Sequence, residues 1–291
     1  MIVPLLSLFA RASEVQPAPT DPVEAETPVE PAGPAIDPLL GEPFEPTRPG
    51  QVDPSSPYWD LEVLYHREKH MEGLKLAEKR YAETKDPHLT LHIARFWYQF
   101  LEGDETMPKK ERAAIYERMI ALLDEGIAAD PNDGHLPFAR GVVMARLATA
   151  KGILASLSMA DDIEAAWLAS ANSDYRYHSI GNQEQLPRDA QLALGIYYRI
   201  LPDSWLVNLI AGVRGNLDQS LAMHQESLAC SGPRIRTLKE LGVTQLCIGT
   251  TRKDPAMIEA GKASINRFLG IAPEMQAEVI DIKHGARLLA D

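Results

Sequence analysis

Leu192-Ala193-Leu194-Gly195-Ile196-Tyr197-Tyr198-Arg199-Ile200-Leu201-Pro202 is the stretch on which the fold turns. Its apolar residues recur at spacings of three and four, the repeat of a helix with one buried face, and no alternation of β-branched and polar residues competes. A glycine inside a helix costs about 1 kcal/mol relative to alanine. It is tolerated where a neighbouring helix approaches too closely for a side chain, with leucine and tyrosine filling the space on either side. The arrangement returns as Leu241-Gly242-x-x-Gln245 and, degraded, as Gly141-x-x-Met144.

The rest of the body reads the same way from Tyr58 onward. Tyr58 to Thr84 carries Trp59, Val63, Leu64, Leu74, Ala77 and Tyr81 and ends at Lys85-Asp86-Pro87, because proline disfavours a helical residue before it. His88 to Leu101 is dense in Leu89, Leu91, Ile93, Phe96, Trp97, Tyr98 and Phe100 and stops at Glu102-Gly103-Asp104. Its aromatic residues cover all sides of the helix, so core packing claims part of them. Pro108 opens the next segment, which closes at Asp130-Pro131-Asn132-Asp133-Gly134. Further breaks stand at Gly232-Pro233, Asp254-Pro255 and Ala272-Pro273.

Helices of this length joined by short turns are what stacked antiparallel pairs require. Met119, Leu123 and Gly126 precede Pro131 at the same distances as Gly261, Ile265 and Phe268 precede Pro273. Before Pro233, Leu221 and Leu228 hold two of those places and Gln225 the third. The glycines at 141, 195 and 242 are 54 and 47 residues apart, whereas a regular tetratricopeptide array repeats about every 34. The expectation is therefore an all-α fold of degenerate, tetratricopeptide-like antiparallel helix pairs forming a short curved solenoid or bundle. An unrelated helical bundle has the same periodicity.

Thirteen of the 22 prolines fall in the first 57 residues, and residues 13–57 hold nine acids against one base, so most of the net charge of −12 lies there. Such a stretch cannot bury enough apolar area to offset its chain entropy, which predicts a disordered acidic linker over 13–57 and a helical domain over 58–291. Ahead of it, Ile2 to Ala10 is a short apolar run ending at Ala10-Arg11-Ala12, a small-x-small pattern that fits a clipped signal segment over 1–12. The alternative is a plain apolar N-terminus and a cytoplasmic chain. No cysteine follows Ala12, so no acyl anchor is expected, and no stretch reaches the roughly 18 apolar residues of a membrane span. The acidic balance argues against nucleic acid as a partner.

Three stretches together resemble a known branch of the tetratricopeptide superfamily. They are Gly134-His135-Leu136-Pro137-Phe138-Ala139-Arg140-Gly141 after an aspartate-proline turn, residues 192–202 quoted above, and Gly215-Asn216-Leu217-Asp218-Gln219-Ser220-Leu221. Residues 111–273 are similar to the T-component of TRAP transporters and, more distantly, to the regulator-of-microtubule-dynamics proteins. In this family an insertion after a Leu-Pro, here Asp203 to Arg214, separates the halves of one pair. The resemblance implies paired helices, a periplasmic or otherwise exported location and self-association. It also implies a groove that receives a small apolar ligand or a periplasmic solute-binding protein.

Candidate chemistry is sparse. His66 and His70, and His88 and His92, are two pairs with members four apart on one helix face, a spacing that can hold zinc if the helices form a hairpin around Asp86-Pro87. Unliganded, partly exposed histidines are the other reading, and no cofactor is expected. Ser204, Ser227 and Ser231 lack a nucleophile elbow, no phosphate loop occurs, and Cys230 and Cys247 read as buried thiols or one disulfide. A non-enzymatic binding or scaffold protein is expected, with a metal-binding or small-molecule enzyme using the histidine pairs as the alternative. For ligand or partner contact the candidates are Trp205, Leu206 and Leu209 in the apolar knot of the insertion. Tyr175 and Tyr177 in a polar loop that can rim the same concavity join them, as does Tyr198.

Overall fold

The three-and-four spacing of apolar side chains becomes twelve α-helices among the described residues, and the fold is all-α. The computed structural model describes residues 50, 52–104, 106–180, 184–205, 208–209, 212–273 and 276–290. The segment read as a signal, nearly all of the 13–57 stretch, and Leu206 lie outside them. In chain order the helices are α1 (Trp59–His66), α2 (His70–Thr84), α3 (His88–Gly103), α4 (Lys109–Ala129), α5 (His135–Lys151) and α6 (Ile153–Ser158). After them come α7 (Ala160–Ala171), α8 (Arg188–Ile200), α9 (Leu217–Ser231), α10 (Ile235–Arg252), α11 (Pro255–Leu269) and α12 (Gln276–Ala290). Among the described residues none is long and apolar enough to cross a membrane.

Helix ends follow local chemistry. Asp254 accepts hydrogen bonds from the backbone of Ala256 at 3.0 Å and Met257 at 3.2 Å, with Pro255 pre-set in the first turn of α11. Asn216 does the same for α9 at 3.0 Å to both Asp218 and Gln219. One boundary departs from expectation: the segment 58–84 is two helices. Glu68 takes a left-handed backbone at φ 57°, and the chain turns there so that α1 folds back onto α2. No glycine or proline marks that turn, which is why periodicity reads through it.

Each helix contacts its successor, and the pairs α8–α9 and α10–α11 run antiparallel. On α10 and α11, Gly242 lies against Gly261 and Ile265, while Gly249, farther along α10, lies against Ile258, nearer the start of α11. On α8 and α9, the Asn216 amide donates to the Tyr198 carbonyl at 2.9 Å and Ser220 Oγ donates to the Gly195 carbonyl at 2.7 Å. Gly195 faces the ring of His224 and Gly141 faces the indole of Trp167, so the glycines are close-approach points between helices.

The apolar interior is strung along the chain as four successive clusters. Leu61, Leu74 and Phe96 join α1 to α3, and Leu91, Tyr116, Leu123 and Leu136 join α3 to α5. Phe138, Trp167, Leu194 and Tyr197 join α5, α7 and α8, and Ile235, Leu238, Ile265 and Phe268 join α10 to α11. Met119, Leu123 and Gly126 of α4 and Gly261, Ile265 and Phe268 of α11 are all buried. In α9 the inward stripe differs from the one expected: Ser220, His224 and Ser227 are buried, while Leu221 and Leu228 are half-buried. The glycine opposite admits an imidazole, and the Ser220 hydroxyl satisfies a carbonyl of α8.

Two other readings change. Cys230 and Cys247 are free thiols, the first exposed and the second half-buried, so neither the disulfide nor a pair of buried thiols is formed. The polar loop after α7 contains a two-stranded ribbon. Its Tyr177–His178 (β1) pairs antiparallel with Gln185–Leu186 (β2), Tyr177 opposite Leu186. Val52 donates to the His178 carbonyl at 3.0 Å and His178 to the Gly50 carbonyl at 2.9 Å, so the body's backbone pairing reaches back to Gly50.

Candidate ligand-binding site

Three helices present the same short stripe to one cavity. Ala94, Arg95, Tyr98 and Gln99 come from α3, Phe138, Ala139, Val142 and Val143 from α5, and Leu192, Ala193 and Ile196 from α8. Residues three and four apart share a helix face, so each stripe is one side of its helix. Ala94, Ala139 and Ala193 place one small side chain on each face, and the larger neighbours do not fill the space left between the helices. The gap is a cavity of about 290 Å³, close to the lower end of the range for small-molecule sites.

Its wall is charged at the edges. Arg95 and Glu184 line it together with Arg188 and Asp189 at the start of α8, Arg234 and Arg236 around the start of α10, and Glu278 and Asp281 of α12. Every guanidinium has a carboxylate within reach: Arg95 to Glu184 at 2.9 Å, Arg188 to Asp189 at 2.7 Å, Arg236 to Asp281 at 3.1 Å and Arg234 to Glu278 at 3.9 Å.

Behind the cavity these charges continue into a buried network. Arg95 Nη1 donates to Glu62 Oε1 at 2.5 Å and to the Tyr177 hydroxyl at 3.2 Å, and its guanidinium lies 4.0 Å from the Tyr65 ring centre. Glu184 Oε1 is 3.1 Å from His135 Nε2, and the His135 ring is 4.3 Å from that of Tyr177. His88 Nδ1 meets Asp133 Oδ2 at 2.5 Å, and the His88 and His92 rings are 5.3 Å apart.

The ionisation states follow from burial and neighbours. Burial alone would raise the Glu184 carboxyl, but Arg95, then His135 and Arg188, reverse this and hold it at about 2. Burial, and then the positive neighbours, pushes His92 well below the ordinary histidine range, so its ring is neutral. Burial drives the Tyr177 phenol well up, which keeps it protonated. A neutral, enclosed His92 and an acid locked as carboxylate are poor proton carriers near pH 7. An imidazole held by a carboxylate, as in His88 and Asp133, is one part of a nucleophile-activating set. Among the described residues, His88 hydrogen-bonds no serine, threonine or cysteine.

The residues expected at a site are dispersed. Tyr175 and Tyr177 lie beside His135 in the buried network, their ring centres 6.3 and 4.3 Å from its own. Tyr198 is buried and donates to Glu164 at 2.5 Å, and it does not line the cavity. Trp205 and Leu209 are 73% and 71% exposed. The two histidine pairs do not converge: Gly73 of α2 lies against Phe96 of α3, so the antiparallel register sends His66 and His70 to one end and His88 and His92 to the other. His135 from α5 joins the second pair instead, its ring 6.2 Å from that of His88. Among the described residues no group of three or more histidine, cysteine or acidic side chains is placed to hold a metal ion.

Arg95 was the legible signal that periodicity alone overlooks, a charge between Ala94 and Phe96 on an otherwise apolar face. Glu62, between Leu61 and Val63, carries the same mark, while Asp133 and Glu184 stand in polar turns and carry none. No protein-family model matches the chain, and no curated protein is significantly similar to it in sequence.

Proposed function

We propose that this is a non-enzymatic, tetratricopeptide-like binding protein whose central cavity holds a small molecule. One observation carries the reading: the lead helices α3, α5, α8 and α10 all line the same cavity, each backed by a following helix, α4, α7, α9 or α11. In a helical array the lead helices form the inner, binding surface, and successive local cores such as the four described here are its mode of stabilisation. The apolar walls suit an apolar group, and the ion-paired edges fix its orientation.

An exported, periplasmic setting, association with a periplasmic solute-binding protein and self-association belong to the same proposal. Their support is the resemblance of residues 134–141, 192–202 and 215–221 to the transporter T-component. Native mass spectrometry of the purified chain tests the cavity reading. A co-purifying small molecule, lost in Ala193→Phe and retained in a surface variant such as Glu72→Gln, is expected. An occupancy indifferent to Ala193→Phe rejects the cavity as the site.

A further inference from the structure

The charge pattern of the wall restricts what the cavity takes. Four guanidiniums and four carboxylates line it, and each guanidinium already has a carboxylate within 4 Å, so the wall has no net charge to offer. A buried ligand of net charge would therefore stand uncompensated, which is costly in a low-dielectric interior. Glu184 and its Arg95 partner hold each other ionised, so this wall pair does not adjust by taking up a proton near neutral pH. A purely apolar ligand is disfavoured for the opposite reason, because it would strip water from the charged pairs and replace none of its hydrogen bonds.

From this we infer that the cavity binds a small zwitterion with an apolar tail, the chemistry of a free aliphatic or aromatic amino acid. The inference rests on the cavity being the binding site proposed above. A head carrying both signs meets a wall carrying both signs: the carboxylate faces the Arg188 end and the ammonium faces Asp189 and Glu184, while the tail lies against Ala139, Val142 and Ile196. The volume of about 290 Å³ lies at the lower end of small-molecule sites, which suits a ligand of the size class of a free amino acid.

Four probes that share the isobutyl tail decide it by calorimetric titration of the ligand-stripped protein: leucine, N-acetylleucine as the anion, leucinamide as the cation, and 4-methylpentan-1-ol as the uncharged form. Leucine is expected to bind at least about tenfold more tightly than any other. Glu278→Gln, which removes one wall carboxylate, is expected to raise N-acetylleucine affinity relative to leucine several-fold. Tighter binding of the anion, cation or alcohol to the unaltered protein overturns the zwitterion and leaves the cavity reading standing, provided Ala193→Phe abolishes it. Failure of all four probes, with a different molecule still lost in Ala193→Phe, also overturns it alone. Failure of all four with no molecule sensitive to Ala193→Phe overturns both.

Discussion

Arg95 and Glu184 meet at 2.9 Å in the interior, the one from the middle of α3 and the other from the segment leading into β2. Glu62 holds the opposite side of the same guanidinium at 2.5 Å, so one cation joins the first helix of the body to the ribbon that precedes α8. Truncating that cation takes from Glu62 and Glu184 the counter-charge they share. Arg95→Met is expected to lose about 3–5 kcal/mol of stability, read from urea midpoints. The triple variant Glu62→Gln, Arg95→Met, Glu184→Gln should recover most of the loss. A single variant as stable as the parent would show the network to be energetically idle.

Acid should unfold the protein in two windows. Unfolded, His224 titrates at 6.5; folded, burial and then Arg199 hold it at about 4. The unfolded chain takes up that proton first, so the stability from the neutral ring is complete above pH 6.5 and is lost as the pH falls towards 4. Glu184 and Glu240 have ordinary values of 4.5 and folded values of about 2, held down against burial by Arg95 and Arg199 respectively. Their share is complete above pH 4.5 and is lost between 4.5 and 2. Each group contributes at most roughly 3 kcal/mol. Unfolding free energy measured from pH 8 to 3 should lose part of its upper slope in His224→Phe, the remainder belonging to the buried His92, and keep the lower one.

Gly195 marks the closest approach of α8 to α9. A methyl group there would lie 2.5 Å from His224 Cε1 and 2.6 Å from Nδ1, and the ring is enclosed and cannot move away. Gly195→Ala is expected to cost about 1–3 kcal/mol despite the better helix propensity of alanine. Paired with His224→Ala, the same substitution should become neutral or favourable. Additivity of the two changes in thermal unfolding would contradict the contact.

Trp205 gives a separate check on where binding occurs. It is 73% exposed and absent from the cavity wall, so Trp205→Ala should shift stability by less than about 0.5 kcal/mol and leave leucine affinity unchanged. Loss of leucine affinity in this variant would move the site to the insertion between α8 and α9.

The amino-acid sequence by itself determined most of the helices and several of the points where they touch. Aspartate-proline breaks separated helices, apolar spacing set the inward faces of α4 and α11, and Gly141, Gly195 and Gly242 named the contact points, because each of these effects acts within one or two helical turns. It misjudged α9, whose inward residues are Ser220, His224 and Ser227, since burial there depends on a carbonyl and a gap supplied by α8. The binding site was a matter for the tertiary structure alone. Ala94, Ala139 and Ala193 are ordinary helix formers until three faces meet and fail to fill the space between them. Likewise Glu62, Arg95, His135 and Glu184 are scattered charges until packing removes the water between them and makes each one's counter-charge obligatory.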